Sequence, residues 1–268
     1  MSPSAPNPLR PSTVAQGGSG SALSPSKWQA LADLLVWLAD NKYWLGRRFS
    51  EWTNRAPALE AAVAAAAMTQ DELGHARSLY AALQSAPDAP EAYLKEEKRE
   101  QRLGMPLLTQ PFEHWADFVT AVVLVDRALT LVFESARASS HEPLRQRAAK
   151  ILQEEWFHRQ YGEGWLRKLA ADAGTRDALQ ASINRFWSPT AAWLGSGPSA
   201  SLRQRTEPVE VAGPSTSLRG APLWGRTGFD DGLVAGGVLA GDAEALRARW
   251  QSEAQALLTS CGLITHEQ

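Results

Sequence analysis

Two copies of the motif Glu-x-x-His, Glu72 to His75 and Glu155 to His158, constrain this chain more than any other feature of its sequence. Residues three apart on a helix share one face, so each copy places a carboxylate beside an imidazole. Two such helices in a four-helix bundle supply both histidines and two of the four carboxylates of a dinuclear iron or manganese site. The motif pair therefore predicts a helical bundle with a metal-binding centre.

Hydrophobic periodicity predicts four long helices in the middle of the chain. The expected ranges are 27–52, a segment that begins after Pro57 and runs through Leu79, 115–137 and 144–171. Strand-like alternation of apolar and polar residues does not compete with this pattern in the first 190 residues. We therefore predict an all-α fold, a four-helix bundle with additional C-terminal helices.

Each of the four predicted helices carries an ionisable residue on its apolar stripe, namely Lys42, Glu72, Asp126 and Glu155. Charged side chains are rarely fully buried unless they are paired or bound to metal. Lys42 and Glu72 are 30 residues apart, and Asp126 and Glu155 are 29 residues apart. Two antiparallel hairpins of similar size would bring each pair to a similar height. We therefore predict that the four side chains meet about a pseudo-twofold axis.

Simpler structural interpretations exist for each of these residues. A single Glu-x-x-His on a helix is usually a solvated surface pair, and Asp126 alone could be a hydrogen-bonded core aspartate. Two copies at matched positions on apolar stripes favour the metal-site interpretation. The remaining histidines are predicted to lie on the surface or in loops: His114, His141 and His266. Several tryptophans are predicted to fill the core rather than line a substrate pocket: Trp37, Trp44, Trp156 and Trp165.

The rest of the chain is predicted to surround this bundle. Residues 1–26 are rich in Pro, Ser and Gly and are predicted to form a disordered tail. The bundle is expected over 27–194, with a fifth helix at 175–195. A Gly/Ser/Pro-rich excursion is expected over 195–222. A C-terminal helical extension over 223–268, with a helix at 242–258, is expected to pack on the bundle.

Composition excludes several classes of partner. A formal net charge of −2 gives no reason to expect nucleic acid or an anionic membrane surface as a partner. The sequence contains no apolar stretch of the length that a membrane span requires. The single cysteine, Cys261, excludes an internal disulfide framework and fits a reducing cytoplasm. A cytoplasmic protein is therefore expected.

Five short segments occur in a distinctive order between about residues 30 and 195. They are Arg55-Ala56-Pro57, Gln70-Asp71-Glu72-Leu73-Gly74-His75, Leu124-Val125-Asp126, Glu154-Glu155-Trp156-Phe157-His158 and Ile183-Asn184-Arg185-Phe186-Trp187-Ser188-Pro189. In this order they resemble the catalytic, oxygenase subunit of the phenylacetyl-CoA epoxidase family. The paired Glu-x-x-His is shared by all ferritin-like carboxylate proteins, so the last segment is the more specific mark.

The resemblance implies a ferritin-like bundle that holds two irons and activates O2. It implies oxygen insertion into an aromatic ring carried as a CoA thioester, electrons from a flavin and iron–sulfur reductase, and pairing with a related structural subunit. It also implies a set of metal ligands in this chain: Glu72, His75, Asp126, Glu155 and His158.

Lys42 departs from the family pattern, because the family has a glutamate ligand at this position of the first helix. Asp40 lies two residues away and is expected to point elsewhere, and Glu51 is more than two turns further on. An ammonium has no lone pair with which to bind metal. Burial lowers the pKa of a lysine and nearby carboxylates raise it, so the sequence leaves the protonation state of Lys42 open.

Four hypotheses follow from Lys42. In the first, the ammonium replaces one metal through salt bridges and leaves a mononuclear or metal-poor site. In the second, a neutral Lys42 captures CO2 and its carbamate serves as the missing carboxylate. In the third, the amine is itself catalytic, together with Glu72 and Asp126, in chemistry different from epoxidation. In the fourth, the subunit is a non-catalytic relative held for assembly. We expect a non-haem iron oxygenase with an altered metal site that acts on an aromatic or acyl-CoA-type substrate. The alternative is a repurposed or non-catalytic subunit in which Lys42 forms salt bridges with Glu72, Asp126 and Glu155.

Overall fold

All regular structure in the described part of the chain is helical, as predicted. The computed structural model describes residues 25–83, 102, 104–203 and 233–265. The helices are α1 (Pro25–Ser50), α2 (Leu59–Leu83), α3 (Trp115–Thr120), α4 (Arg127–Ser135), α5 (Glu142–Ala171), α6 (Ala173–Arg203) and α7 (Ala243–Ser260). Short 3-10 turns lie at Pro106–Leu108 and Ala136–Ala138. None of these helices combines the length and apolarity needed to cross a membrane.

Helices α1 and α2 form the first hairpin because each carries a continuous buried stripe. The α1 stripe includes Leu38, Leu45 and Phe49, all fully buried. The alanine-rich first half of α2 has high helix propensity, and its small side chains allow close approach to α1. A Cβ atom at Gly46 would lie only 3.1 Å from Cβ of Glu72. This glycine therefore lets α1 pass directly beside the carboxylate-bearing turn of α2.

Helices α3 and α4 form one continuous rod that is interrupted by a π-helical segment, Ala121–Asp126. The apolar pattern predicted a single helix over 115–137, and the structure shows helix over this range with a local change of register. Apolar periodicity reports which face is buried and does not report the hydrogen-bond register, so the π-helical segment was not predicted. Such segments are frequent at functional sites. Asp126 is the last residue of this one.

Helix α5 begins at Glu142, where Nδ1 of the N-cap residue His141 accepts a hydrogen bond from the backbone N–H of Leu144 at 3.3 Å. Further along the helix, a Cβ atom at Gly162 would lie 2.5 Å from Cγ1 of Val122. The crossing of α5 over the π-helical segment therefore requires a residue without a side chain. This close packing sets the separation between the helices that carry Asp126 and Glu155.

Helix α6 is longer than predicted, since it runs to Arg203 and not to residue 195.

The middle of α6 holds the N-terminus of α3 in place. The buried carboxylate of Asp117 accepts hydrogen bonds from the backbone N–H groups of Glu113 at 3.0 Å and His114 at 3.1 Å. It also accepts hydrogen bonds from Ser182 and Arg185 of α6. The Asn-Arg-Phe-Trp segment thus has a structural role in clamping α3.

Helix α7 closes the bundle, in good agreement with the helix predicted over 242–258. Asp242 caps it by accepting a hydrogen bond from the backbone N–H of Ala245 at 2.7 Å. Trp250 is fully buried, packs against the Trp187 ring of α6 and donates its indole N–H to the carbonyl of Leu124 at 2.9 Å. This carbonyl belongs to the π-helical segment. Residues 1–24 and 204–232 lie outside the described residues, so the predicted tail and most of the excursion stay predictions.

Candidate functional site

The four ionisable residues predicted to meet do meet, in the centre of the bundle. Lys42 comes from α1, Glu72 from α2, Asp126 from the π-helical segment and Glu155 from α5. All four side chains are buried, with residue exposures between 0% and 2%. Four charged groups at this depth require mutual neutralisation, because each isolated charge would carry a large desolvation cost.

Lys42 Nζ lies in the middle of the three carboxylates. Its hydrogen bonds run to Oε1 of Glu155 at 2.5 Å, Oδ1 of Asp126 at 2.6 Å and Oε1 of Glu72 at 3.1 Å, and Oε2 of Glu72 lies 3.0 Å away. The ammonium thus donates to one oxygen of each acid, which uses its three N–H groups. Asp40, as expected, does not join the cluster, since one of its carboxylate oxygens accepts a hydrogen bond from the Tyr80 hydroxyl at 2.5 Å.

The two motif histidines face the same cluster. Nδ1 of His158 lies 3.2 Å from Oδ2 of Asp126 and 3.3 Å from Oε1 of Glu72. Nδ1 of His75 lies 3.3 Å from Oε1 of Glu155. The two imidazole centroids are 6.4 Å apart. All five predicted ligand residues therefore surround one buried centre.

Each histidine is held from outside by an acid on the opposite helix. Nε2 of His75 is 2.6 Å from Oε2 of Glu154, and Nε2 of His158 is 3.2 Å from Oδ2 of Asp71. Glu154 and Asp71 each directly precede a motif glutamate, so the full repeat is acid-Glu-x-x-His. These two acids were not predicted, although an acid before the glutamate of both motifs could have indicated that they contact the histidines.

Thr130 is a further residue that the sequence did not single out. Its hydroxyl lies one turn beyond Asp126 and is 3.0 Å from Oε2 of Glu155 and 2.8 Å from the carbonyl of Asp126. The hydroxyl has one proton to donate, so it serves the carboxylate and the carbonyl in turn. A threonine on an apolar helix face is common, so its position alone carries no signal.

The electrostatics of the centre favour a protonated Lys42. Burial alone would lower the pKa of Lys42, but the carboxylates of Asp126, Glu155 and Glu72 outweigh burial and raise this pKa well above its ordinary value. Burial would also lower the pKa of His158. Four acids outweigh it and raise this pKa well above its ordinary value, namely Glu155, Asp126, Asp71 and Glu72. The buried acids thus favour the charged forms of Lys42 and His158.

The acids respond differently to this environment. Burial raises the pKa of Glu72 to about 7, aided by Asp126 and opposed by Lys42. Burial also acts to raise the pKa of Glu155, but Lys42, His158 and His75 lower it well below its ordinary value. Burial acts to lower the pKa of His75, but the hydrogen bond with Glu155 and the charges of Glu72 and Glu155 raise this pKa above its ordinary value.

A dinuclear metal centre does not fit this arrangement. Ligand atoms of Glu72, Asp126, Glu155 and His158 lie within 4.8 Å of one another, which is close enough for one ion. Lys42 Nζ already occupies the space between three of them, at hydrogen-bond distance from each carboxylate. A metal ion there would meet a fixed positive charge and a group without a lone pair. The residues present therefore accommodate an ammonium in place of a metal.

A surface cleft of about 380 Å³ reaches the centre at Thr130 and Glu155. Its outer walls include Arg127, Arg137 and Trp156. Trp156 is 57% exposed, so the prediction that it fills the core was wrong. Trp156 directly follows the buried Glu155 in α5, and its side chain points to the solvent side of the helix. Trp37 is fully buried as predicted, and Trp44 and Trp165 are partly buried against the core.

The other two histidines that the structure describes, His114 and His141, take no part in the centre. His114 precedes α3 and is exposed, and His141 is the half-buried N-cap of α5. Both agree with the predicted surface or loop positions. His266 lies outside the described residues.

The helical bundle and the paired Glu-x-x-His motifs around a buried carboxylate centre define the class of ferritin-like carboxylate proteins. The chain belongs to the family of phenylacetic acid catabolic proteins, whose family model matches residues 21–267. This finding confirms the family resemblance drawn from the five short segments.

Two components of one enzyme from Escherichia coli (strain K12) are similar to this chain. The C subunit of 1,2-phenylacetyl-CoA epoxidase is 30% identical over 157 residues, which cover 58% of this chain and 63% of that relative. The A subunit of the same enzyme is 30% identical over 145 residues, which cover 54% of this chain and 47% of that relative. The chain thus spans less than two thirds of each curated relative.

Proposed function

We propose that this chain is a ferritin-like subunit of a multi-subunit, phenylacetate-type oxygenase, and that its own centre is held by Lys42 in place of metal. In this proposal it is a repurposed or non-catalytic subunit that pairs with a metal-binding relative. The main support for this proposal is the contact of Lys42 Nζ with all three buried carboxylates at 2.5–3.0 Å. The similarity to two different subunits of one epoxidase supports a role within an assembly.

Metal content tests the role of Lys42. The Lys42→Glu substitution restores a fourth carboxylate and removes the ammonium, whereas Lys168→Glu makes the same charge change at an exposed position. We expect purified wild-type protein and the Lys168→Glu variant to take up less than one iron per chain. The Lys42→Glu variant is expected to take up more. Two irons in the wild-type protein would refute the proposal.

An active complex tests the non-catalytic role. The chain would be co-expressed with a homologous metal-binding subunit, and oxygen consumption would be measured with reductant and an aryl-acetyl-CoA substrate. A Glu72→Gln substitution in this chain should leave the turnover of the complex unchanged, since Glu72 would contact Lys42 and no iron. The matching glutamate-to-glutamine change in the partner should abolish turnover. Loss of turnover with Glu72→Gln in a stable complex would refute the non-catalytic role.

A second candidate is an iron-dependent oxygenase that acts on an aromatic or acyl-CoA-type substrate with electrons from a flavin and iron–sulfur reductase. The orientation of the histidines favours it. A metal-ligating histidine typically turns one ring nitrogen to the metal and donates the other N–H to a carboxylate. His75 and His158 both have this arrangement toward the centre, with Glu154 and Asp71 outside.

This oxygenase would need Lys42 to lose its positive charge, and carbamylation by CO2 is the chemical route that supplies a carboxylate. Bicarbonate should then raise the iron content of wild-type protein and leave Lys42→Met unaffected. Absence of a bicarbonate effect, together with low iron, would exclude the carbamate.

A cytoplasmic location remains a prediction from the single cysteine, Cys261.

A further inference from the structure

A second buried cation lies in α1, away from the centre. Arg48 is 6% exposed and lies near the C-terminal end of the helix. Its Nη2 atom pairs with Oε1 of Glu51 at 3.1 Å. Its Nε and Nη1 atoms are buried and have no hydrogen-bond partner. A guanidinium carries five N–H donors in a fixed fork, so most of its hydrogen-bonding capacity is unused.

Indole donors flank Arg48 at helical spacing. Trp44 precedes it by four residues, with its ring 5.9 Å from the guanidinium carbon, and Trp52 follows it by four residues in the turn after α1. The Nε1 atoms of Trp44 and Trp52 are buried and unpartnered, as is Nε1 of Trp115, whose ring lies 5.5 Å from that of Trp52. Trp44 shares a face of α1 with Arg48, one helical turn before it, and Trp52 lies in the turn that follows the helix.

Donors outnumber acceptors in this region. Among the described residues around Arg48, Oε2 of Glu51 is the one buried side-chain acceptor without a partner. Burial lowers the pKa of Arg48, Glu51 opposes this effect and Arg47 adds to it, so the positive charge is incompletely compensated. An unsatisfied buried donor destabilises the folded state, and more strongly when it is charged. A ligand that only accepts hydrogen bonds would satisfy these groups.

We propose that Arg48, together with the indole N–H groups of Trp44 and Trp52, forms a binding site for a small anion such as a carboxylate or an inorganic anion of similar size. The anion accepts hydrogen bonds from Nε and Nη1 of Arg48 and neutralises the charge that Glu51 balances in part. This site lies outside the Lys42 centre and is independent of the proposed function of the chain.

Anion titration at constant ionic strength tests the site. Thermal unfolding would be followed in a buffer of bulky organic anions as acetate, chloride or phosphate replaces them. The melting temperature of wild-type protein should rise with one of these anions at millimolar concentration, as expected for a ligand that binds only the folded state. The Arg48→Met variant should lose this rise. The Arg47→Met variant removes the same charge from the exposed neighbouring position and should keep it.

A second measurement does not depend on the folding of the Arg48 variant. Protein labelled with ¹⁵N at tryptophan shows indole N–H resonances, and Trp44→Phe and Trp52→Phe assign the two relevant signals. Acetate, chloride or phosphate should shift the Trp44 and Trp52 signals saturably, while the Trp250 signal, whose N–H is bonded to Leu124, stays fixed. If no anion moves these signals saturably, the donors are hydrated and the proposal is wrong. An equal melting-temperature rise in Arg48→Met would also overturn it.

Discussion

Lys42 holds together three acids from three different elements, so its removal is expected to affect stability strongly. The Lys42→Met substitution keeps most of the side-chain volume and removes the ammonium. Breaking a buried ionic cluster by removing one partner costs about 3–5 kcal/mol, because the remaining charges stay buried. Urea unfolding should show a loss of this size.

The matched control for that experiment is Lys150→Met, which removes an exposed lysine from α5. Surface substitutions usually change stability by less than about 0.5 kcal/mol. If Lys42→Met were as stable as this control, the salt bridges would not hold the centre. Recovery of Lys42→Met by added ferrous or zinc ions would show that an external cation can replace the ammonium.

Glu72 and Glu155 are expected to give opposite dependences of stability on pH. The folded-state pKa of Glu155 is well below its ordinary value of 4.5, so the unfolded state binds more protons in acid. Its stabilising contribution is present above pH 4.5 and is lost as the pH falls below that value. The folded-state pKa of Glu72 is raised to about 7, so its contribution is present below pH 4.5 and is lost as the pH rises toward 7.

The measurement compares wild type with Glu155→Gln and with Glu72→Gln by urea unfolding across this pH range. The advantage of wild type over Glu155→Gln should shrink in acid. Its stability relative to Glu72→Gln should fall as the pH rises from 4.5 to about 7. Parallel pH profiles for the two variants would contradict these assignments.

At the scale of the elements, the π-helical segment and α7 act together. Trp250 donates to the carbonyl of Leu124, which lies two residues before Asp126 in the same segment. The Trp250→Phe substitution keeps an aromatic ring and removes the indole donor, so that the Leu124 carbonyl keeps only the backbone N–H of Arg127 as a partner. The loss of this hydrogen bond is expected to cost about 0.5–1.5 kcal/mol. Hydrogen exchange should accelerate in residues 121–126 more than elsewhere in the bundle.

Trp187→Phe is the control, because it makes the same ring change in the packing partner of Trp250. It should cost packing energy without a selective increase of exchange in the π-helical segment. Equal exchange patterns in the two variants would mean that the indole hydrogen bond does not support this register.

The positions of Lys42, Glu72, Asp126 and Glu155 were predictable because helical periodicity alone places them on buried faces. The π-helical segment was not, since its apolar residues fit an ordinary helix equally well. The exposure of Trp156 was missed because residue type favours burial, whereas its direction depends on its neighbour Glu155 pointing inward. The cross-helix pairing of Asp71 with His158 depends on the offset between α2 and α5, which spacing along the sequence does not fix.

At the scale of the whole molecule, α7 completes the core. Its buried large apolar residues are Leu246, Trp250 and Leu258. At about 1.5–3 kcal/mol for each buried side chain, their removal approaches the total stability of a typical domain. A chain that ends at Gly241 should therefore lose cooperative unfolding and its near-ultraviolet circular dichroism. A chain that ends at Ile264 serves as control and should unfold like wild type.

The ammonium at the centre is covalently part of the chain. A bound iron has a dissociation constant, can be removed by a chelator and is lost when the supply of the metal falls. The charge of Lys42 has none of these dependences. A centre built in this way should fold and keep its shape in iron-starved cells, and it should give chelators nothing to extract.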